Sequence, residues 1–458
     1  VNILTAALAF ITAICVLVTI HEYGHFWVAR QMGVKILRFS VGFGRPLWKR
    51  RLGRDQTELV VAAVPLGGYV KMLDEREGEV PAAELHRAFN RQPLLHRTLI
   101  VLAGPVANFA FALLAYTVVY VLGVEGIKPV VGEVRPGSPA AQAGLQNKDE
   151  ITAIDGEATP TWGNVIEIAL PRVLEHSALH MRVRDAAGRE QLRVLPLDGL
   201  RIDDITRGDL FRKLGFDQFQ PSYTPVIQKV LAGGAAERAG LRAGDRLIKL
   251  DDQPLHNSAQ FIDAVAARPD TPLTLGIERG GKQMTITVTP QSVADGDKGH
   301  VGRINAVIAV PEEARGEMRR LLAVERYGVI GAIRKAWDRS WQISWLTLKL
   351  MASMIKREAS LDNISGPISI AQYAGRSLSL GAARFLEFMG FVSISLFVLN
   401  MLPVPLLDGG HLMYYLIEFV GRRPLPESVQ AAGQQVGLIL LLMLMGLAFY
   451  NDILRLWS

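Results

Sequence analysis

From Val1 to Ile20 the chain carries no charged residue, and this run ends directly in His21-Glu22-Tyr23-Gly24-His25. About 20 apolar residues suffice for a helix to cross the hydrocarbon of a bilayer, so the stretch commits the chain to a membrane. It also puts ionisable groups in or near lipid, where they are costly unless they have a task. The pattern H-E-x-x-H supplies one. Residues four apart on a helix share a face, so both imidazoles can reach a single ion. The glutamate beside them can take a proton from a metal-bound water. A five-letter pattern recurs by chance, and a surface helix with ordinary histidines is the plain alternative; the lipid setting favours zinc-dependent catalysis.

A length of 458 residues leaves room for several domains, and 49% hydrophobic with 21% charged residues fits a membrane protein carrying soluble modules. The net charge of +6 is modest. Its basic residues gather just after the first apolar run, at Arg30, Lys35, Arg38, Arg45, Lys49, Arg50, Arg51 and Arg54. Their place directly after an apolar span speaks for orientation in a lipid bilayer before nucleic acid. By the positive-inside rule this loop is cytoplasmic and the N-terminus lies outside. The N-terminal run has no basic flank or small-residue cleavage site, and reads as a retained anchor. Cys15 is the single cysteine, so no internal disulfide is available.

Within the basic loop, two β-rich runs flank Pro65-Leu66-Gly67-Gly68 between Thr57 and Met72, which reads as a hairpin. It is too apolar for a free cytosolic loop and is expected at the membrane, covered by protein. A second apolar span near Thr98 to Val124 contains Asn108, expected to bond between helices. Beyond it, Ala143-Gly144-Leu145-Gln146-Asn147-Lys148-Asp149 returns as Ala239-Gly240-Leu241-Arg242-Ala243-Gly244-Asp245. A-G-L-x-x-G-D followed by alternating apolar residues resembles the bacterial PDZ domain, which takes peptides by adding a strand to a sheet edge. Lys148 departs from that pattern, and the alternative is a pair of domains that serve only as a wall. Trp337, Trp341 and Trp345 at helical spacing, opposite basic residues, read as a helix lying in the interface and not across it.

The third apolar span runs into Asn400-Met401-Leu402-Pro403-Val404-Pro405-Leu406-Leu407-Asp408-Gly409-Gly410, where the prolines break the helix. Asp408 then lies at about the depth of His21. Catalytic zinc takes three protein ligands and leaves one position open, and His21, His25 and Asp408 are the expected set, with His411 as a rival for the third place. Glu22 is the expected general base. Asn400, placed in broken helix, is expected to hold the substrate backbone or an oxyanion. The hairpin is expected to pair with substrate as an added strand along Gly68, Tyr69, Val70 and Lys71, the alternative being a brace for the catalytic helix.

The expected fold is therefore a multi-pass α-helical membrane protein with four transmembrane helices, a membrane-associated β-hairpin and two α+β PDZ domains. Residues 1–30 form the first span with the HEYGH motif, 31–97 the cytoplasmic loop with its hairpin, and 98–124 the second span. Residues 125–215 and 216–295 form the PDZ pair, and 296–384 a linker with the interfacial helix. Residues 385–420 form the third membrane segment and 421–458 the fourth helix.

HEYGH in a first span, paired PDZ modules and NMLPVPLLDGGH in a third span together resemble the site-2 protease family of intramembrane metalloproteases. Gly42-Phe43-Gly44, the run Pro65 to Met72, the run Ala103 to Phe109 and the run Ser365 to Ala371 extend the likeness along the chain. The resemblance implies a Zn2+ endopeptidase that cuts transmembrane segments, among them a pre-trimmed anti-sigma factor and leftover signal peptides. It implies a bacterial inner-membrane protein with both termini and the PDZ domains in the periplasm, and an active site near the cytoplasmic leaflet. It also implies His21, His25 and Asp408 as ligands, Glu22 as base, and Asn400, Pro403 and Pro405 along the substrate path. Tyr23 stands where the family leads one to expect Phe. The rival reading is a non-enzymatic membrane scaffold with a vestigial metal site, against which the intact Glu22 argues.

Overall fold

The computed structural model describes the chain except for residues 1, 176, 198, 201–209, 295–299, 357–359, 361–363 and 458. The chain separates into two compact units, one of Val1–Val124 with Arg326–Asp452, the other of Glu125–Glu325 with Ile453–Ser458.

The first unit is helical around a small sheet. Its helices are α1 (Ile3–Gln31), α2 (Leu94–Leu122), α3 (Val329–Ile355), α4 (Pro367–Ser379), α5 (Ala382–Met401), α6 (Asp408–Gly421) and, up to Asp452, α7 (Glu427–Trp457). Among the described residues, α1, α2, α5 and residues Glu427–Leu454 of α7 are long and apolar enough to cross a membrane. Small residues decide how closely these helices approach, as expected where lipid supplies no hydrophobic drive between them. On α1 the buried positions Ala6, Ala9, Ala13, Leu17 and Gly24 form a stripe on one face, while Ala29 packs with Val34, Ile36 and Ile100. A Cβ on Gly24 would lie 2.3 Å from the Ala103 carbonyl oxygen of α2. Helix α3 falls outside the four candidates. It buries Ala332, Ala336, Ser340 and Ile343, the apolar three of them in one cluster with Tyr116, Ile394 and Val398, and leaves Trp337, Trp341 and Trp345 more than half exposed. Near the end of α7, the buried Asp452 accepts hydrogen bonds from the backbone N–H groups of Gly366, Ile368 and Ser369 and so caps α4.

The sheet corrects the sequence expectation. Thr57–Met72 is one long strand, β2, and its partner is a strand the cationic loop concealed, β1 (Ile36–Leu52). The runs on either side of Pro65 to Gly68 do not pair with each other. Residues 38–41 lie between them, facing Glu58 to Val61 on one side and Gly68 to Lys71 on the other. The connecting turn is at 53–56, where Gly53 takes φ +72°. Both strands bend to achieve this, β1 at Gly42 and Gly44, whose φ values of +92° and +86° favour glycine. Thus 68–72 forms an edge, with no second strand beside it among the described residues.

In the second unit the sequence repeat is a structural repeat. Strands Glu150–Ile154, Leu179–Arg184 and Glu190–Leu195 with helix Trp162–Leu174 correspond in order to Arg246–Leu250, Leu273–Arg279 and Lys282–Val288 with helix Ser258–Ala266. Each copy packs its own core, one around Phe216, Ile151 and Met181, the other around Phe261, Leu247 and Ile277. The shared motif has a local cause. Buried Asp149 accepts from the Gln146 N–H at 2.9 Å, and buried Asp245 from the Arg242 N–H at 2.8 Å, closing the same turn. Lys148 adopts φ +72° where the second copy has Gly244 at +91°, so the departure from the motif leaves the turn in place. Phe216–Gln218 pairs with Val131–Val134, and Ala306–Ala309 with Val226–Val230, which carries the two repeats past residues 215 and 295. The unit closes at its base, where the Lys128 N–H donates to the Leu321 carbonyl at 2.7 Å.

Candidate metal centre

Helix α1 presents His21 and His25 on the face turned to α2, and the start of α6 brings Asp408 to them. His21 Nε2 lies 3.1 Å from Asp408 Oδ2, His25 Nε2 lies 3.5 Å from Asp408 Oδ1, and the two Nε2 atoms are 3.2 Å apart. All three side chains are more than four-fifths buried.

The approach depends on glycines. A Cβ on Gly104 of α2 would fall 2.2 Å from His25 Nε2 and 2.9 Å from His21 Cε1, so only glycine leaves the imidazoles their space. Asp408 follows the turn 402–407, in which the Val404 N–H donates to the Leu402 carbonyl and the Leu407 N–H to that of Val404. Cβ atoms on Gly409 and Gly410 would collide with the Leu402 carbonyl at 2.2 Å and the Val404 carbonyl at 2.5 Å. Asp408 can therefore sit in the first turn of α6 only because the next two residues have no side chain. Pro403 and Pro405 shape this turn, and Pro405 packs against α7 at Gly437, whose Cβ would lie 2.0 Å from the Pro405 oxygen.

The donor set fits a tetrahedral zinc ion. Zinc–nitrogen bonds of about 2.0–2.1 Å at tetrahedral angles separate ligands by roughly 3.3 Å, and the observed separations are 3.1 to 3.5 Å. The tautomer fits as well. His25 Nδ1 is 2.8 Å from the Ile100 carbonyl oxygen, which can only accept, so the proton sits on Nδ1 and the Nε2 lone pair faces the other two ligands. A carboxylate and the His25 lone pair turned on one another call for a cation.

Glu22 points to the sheet. A Cβ on Gly68 would be 3.3 Å from Glu22 Cγ, and the Val70 backbone N–H addresses the Glu22 carboxyl. The edge 68–72 thus runs beside Glu22. Tyr69 stacks on Phe43 with ring centroids 6.2 Å apart and accepts from Arg38 at 3.2 Å, while Lys71 pairs with Glu77. Cys15 donates to the Pro65 carbonyl at 3.2 Å and fixes the bend of β2 on α1.

One expectation is revised and one is met. Asn400 lies inside the last turn of α5 and not in unwound chain, and it has no hydrogen-bond partner among the described residues. Asn108 joins helices as expected, and does so at the site itself. Its backbone oxygen accepts from Ser393 of α5 at 2.8 Å, but its side chain turns to His21, with Nδ2 3.3 Å from Nδ1. His411 does not join His21, His25 and Asp408, whose metal-capable atoms all lie within 4.8 Å of one another.

Peptidase family M50 matches residues 9–444. The regulator of sigma-E protease RseP of Salmonella typhimurium is 42% identical, with 99% of this chain and all of that protein covered. RseP of Escherichia coli K12 is 42% identical over 98% of each chain. A putative zinc metalloprotease of Vibrio cholerae is 39% identical, covering 99% of this chain and 100% of its own. The motif resemblance is borne out over the whole length, and the chain belongs to peptidase family M50 and is a metalloprotease.

Proposed function

We propose that this protein is a zinc endopeptidase that cleaves transmembrane segments inside the bacterial inner membrane. The observation that carries this reading is the convergence of His21, His25 and Asp408 at zinc-ligand separations, with both histidines on a helix apolar enough to span a bilayer. Zinc, when bound there, polarises the scissile carbonyl and acidifies a water. Glu22 takes the water's proton and returns it to the leaving amine nitrogen. Asn400 holds the substrate backbone, and Pro403 and Pro405 shape the turn that brings Asp408 in.

Peptide hydrolysis needs an extended substrate, because a helix hides each carbonyl behind its own hydrogen bonds. An unwound segment in lipid exposes backbone groups at a cost of several kcal/mol each. The open edge at Gly68, Tyr69, Val70 and Lys71 offsets that cost by pairing with the substrate as an added strand. Its position beside Glu22 supports this role.

The two repeats act as periplasmic PDZ domains that restrict access by substrate bulk. Both termini lie in the periplasm, and the active site lies near the cytoplasmic leaflet. Substrates are single-span proteins of the anti-sigma-factor type and remnant signal peptides, as the motif resemblance implies; the relatives' names place them in sigma-E regulation. The test is zinc content and cleavage of a model transmembrane peptide by purified protein. One zinc per chain with cleavage abolished by chelation is the expected result; folded, zinc-replete protein that cleaves no transmembrane peptide would return the chain to the scaffold reading.

A further inference from the structure

We propose that Asn108 is a positioning residue of the metal centre: its side-chain amide accepts a hydrogen bond from His21 Nδ1–H and thereby commits Nε2 of His21 to the metal. The inference rests on the metal-site reading above and deepens it.

Each imidazole that ligates through Nε2 must carry its proton on Nδ1, and that N–H requires an acceptor. His25 has one in the Ile100 carbonyl at 2.8 Å. For His21, the polar group at Nδ1 is the Asn108 amide, 3.3 Å away on the facing helix. Asn108 is fully buried, so water does not compete for the place. Its backbone is held by the Ser393 hydroxyl at 2.8 Å, which fixes where the amide stands.

With Nδ2 toward His21, the imidazole proton is forced onto Nε2, pointing at the metal position, and Asn108 Oδ1 is left buried without a partner. A half-turn of the amide exchanges the two atoms at almost unchanged shape. Oδ1 then accepts from Nδ1–H, the orphaned oxygen gains a donor, and Nε2 presents a lone pair. The rotation gives Oδ1 a donor and His21 Nδ1 an acceptor, and moves Nδ2 to the place the oxygen held. The sequence signal, an asparagine four residues after Gly104 in an apolar helix, gives the residue but not its target.

The experiment is the zinc dissociation constant of purified full-length protein, measured by competition with a chromogenic chelator, alongside the melting temperature of the metal-free form. Asn108→Leu, similar in volume but without an acceptor, should weaken zinc binding about 10- to 100-fold. Asn108→Asp, which keeps an acceptor at the same reach, should bind at least as tightly as wild type. Ser393→Ala, which removes only the backbone contact, should stay within about threefold. If Asn108→Leu does not fold, Asn108→Ala is judged by the same criterion. Zinc affinity within about threefold of wild type in a folded variant lacking the acceptor would overturn the proposal. So would equal losses in Asn108→Asp and Asn108→Leu. Absence of zinc binding by the wild type would overturn the metal-site reading and this inference with it, an outcome separable from a loss confined to the variants.

Discussion

Single atoms govern the site. Glu22→Gln keeps all three proposed ligands and removes only the proton carrier, so zinc content should be unchanged while turnover falls by about 10²–10⁴-fold. Substantial cleavage by the zinc-replete variant would show that another group is the base. Gly104→Ala tests the opposite loss. Its methyl would occupy the space of His25 Nε2, so the variant should fold with its helices in place yet lose zinc, as measured by metal analysis. A variant retaining one zinc per chain would mean that the imidazoles lie elsewhere when the ion is bound. The convergence of His21, His25 and Asp408 was legible in the sequence because coordination chemistry restricts both residue type and local spacing. The glycines and Asn108 were not, because their partners are set by the rotation of one helix against another, which no local pattern encodes.

At the scale of elements, the edge of β2 and the two repeats make separate predictions. Val70 turns its N–H toward Glu22, and alternation along a strand turns those of Tyr69 and Lys71 to β1. Proline at 69 or 71 would therefore break the sheet, whereas Val70→Pro acts on the open side. We expect Val70→Pro to lose cleavage of a model transmembrane peptide with zinc and melting temperature retained, and Val70→Ala to be much milder. Equal losses from both would mean that the sheet only braces α1.

In the repeats, the shared aspartates titrate in opposite directions. Burial pushes Asp149 up. Burial acts on Asp245 as well, but the Arg279 guanidinium at 2.6 and 2.7 Å and the Arg242 N–H outweigh it and hold this carboxyl down. Ionised Asp245 therefore contributes stability above the unfolded carboxylate value of about 3.9, lost as pH falls through its lower folded value. Ionisation of Asp149 instead costs stability above its raised folded value. Asp245→Asn should speed hydrogen exchange in its repeat at neutral pH, with the difference shrinking in acid, while Asp149→Asn should not destabilise at neutral pH. The reverse order would refute this account of the turn. The repeats could be read from the chain because their turn chemistry is local. Strand β1 could not, since a run of cations masks its pairing, and the bend at Pro65 to Gly68 imitates a hairpin tip.

For the whole molecule, the sequence disclosed the four apolar helices through the plain cost of burying charge in lipid, and the tryptophan helix through its uneven faces. It could not disclose that the second unit closes on itself at Lys128 and Leu321. That closure sets where the unit can be removed. Deleting residues 129–320 should leave the metal centre intact and admit substrates with larger outer domains; a folded, zinc-bound deletion with unchanged size preference would refute the screening role. The central claim is that His21, His25 and Asp408 hold one zinc ion. Zinc K-edge absorption on the purified wild-type protein tests it most directly. The account predicts one zinc per chain with two imidazole ligands and the rest oxygen. Zinc bound without two imidazoles, or with a third, would contradict it.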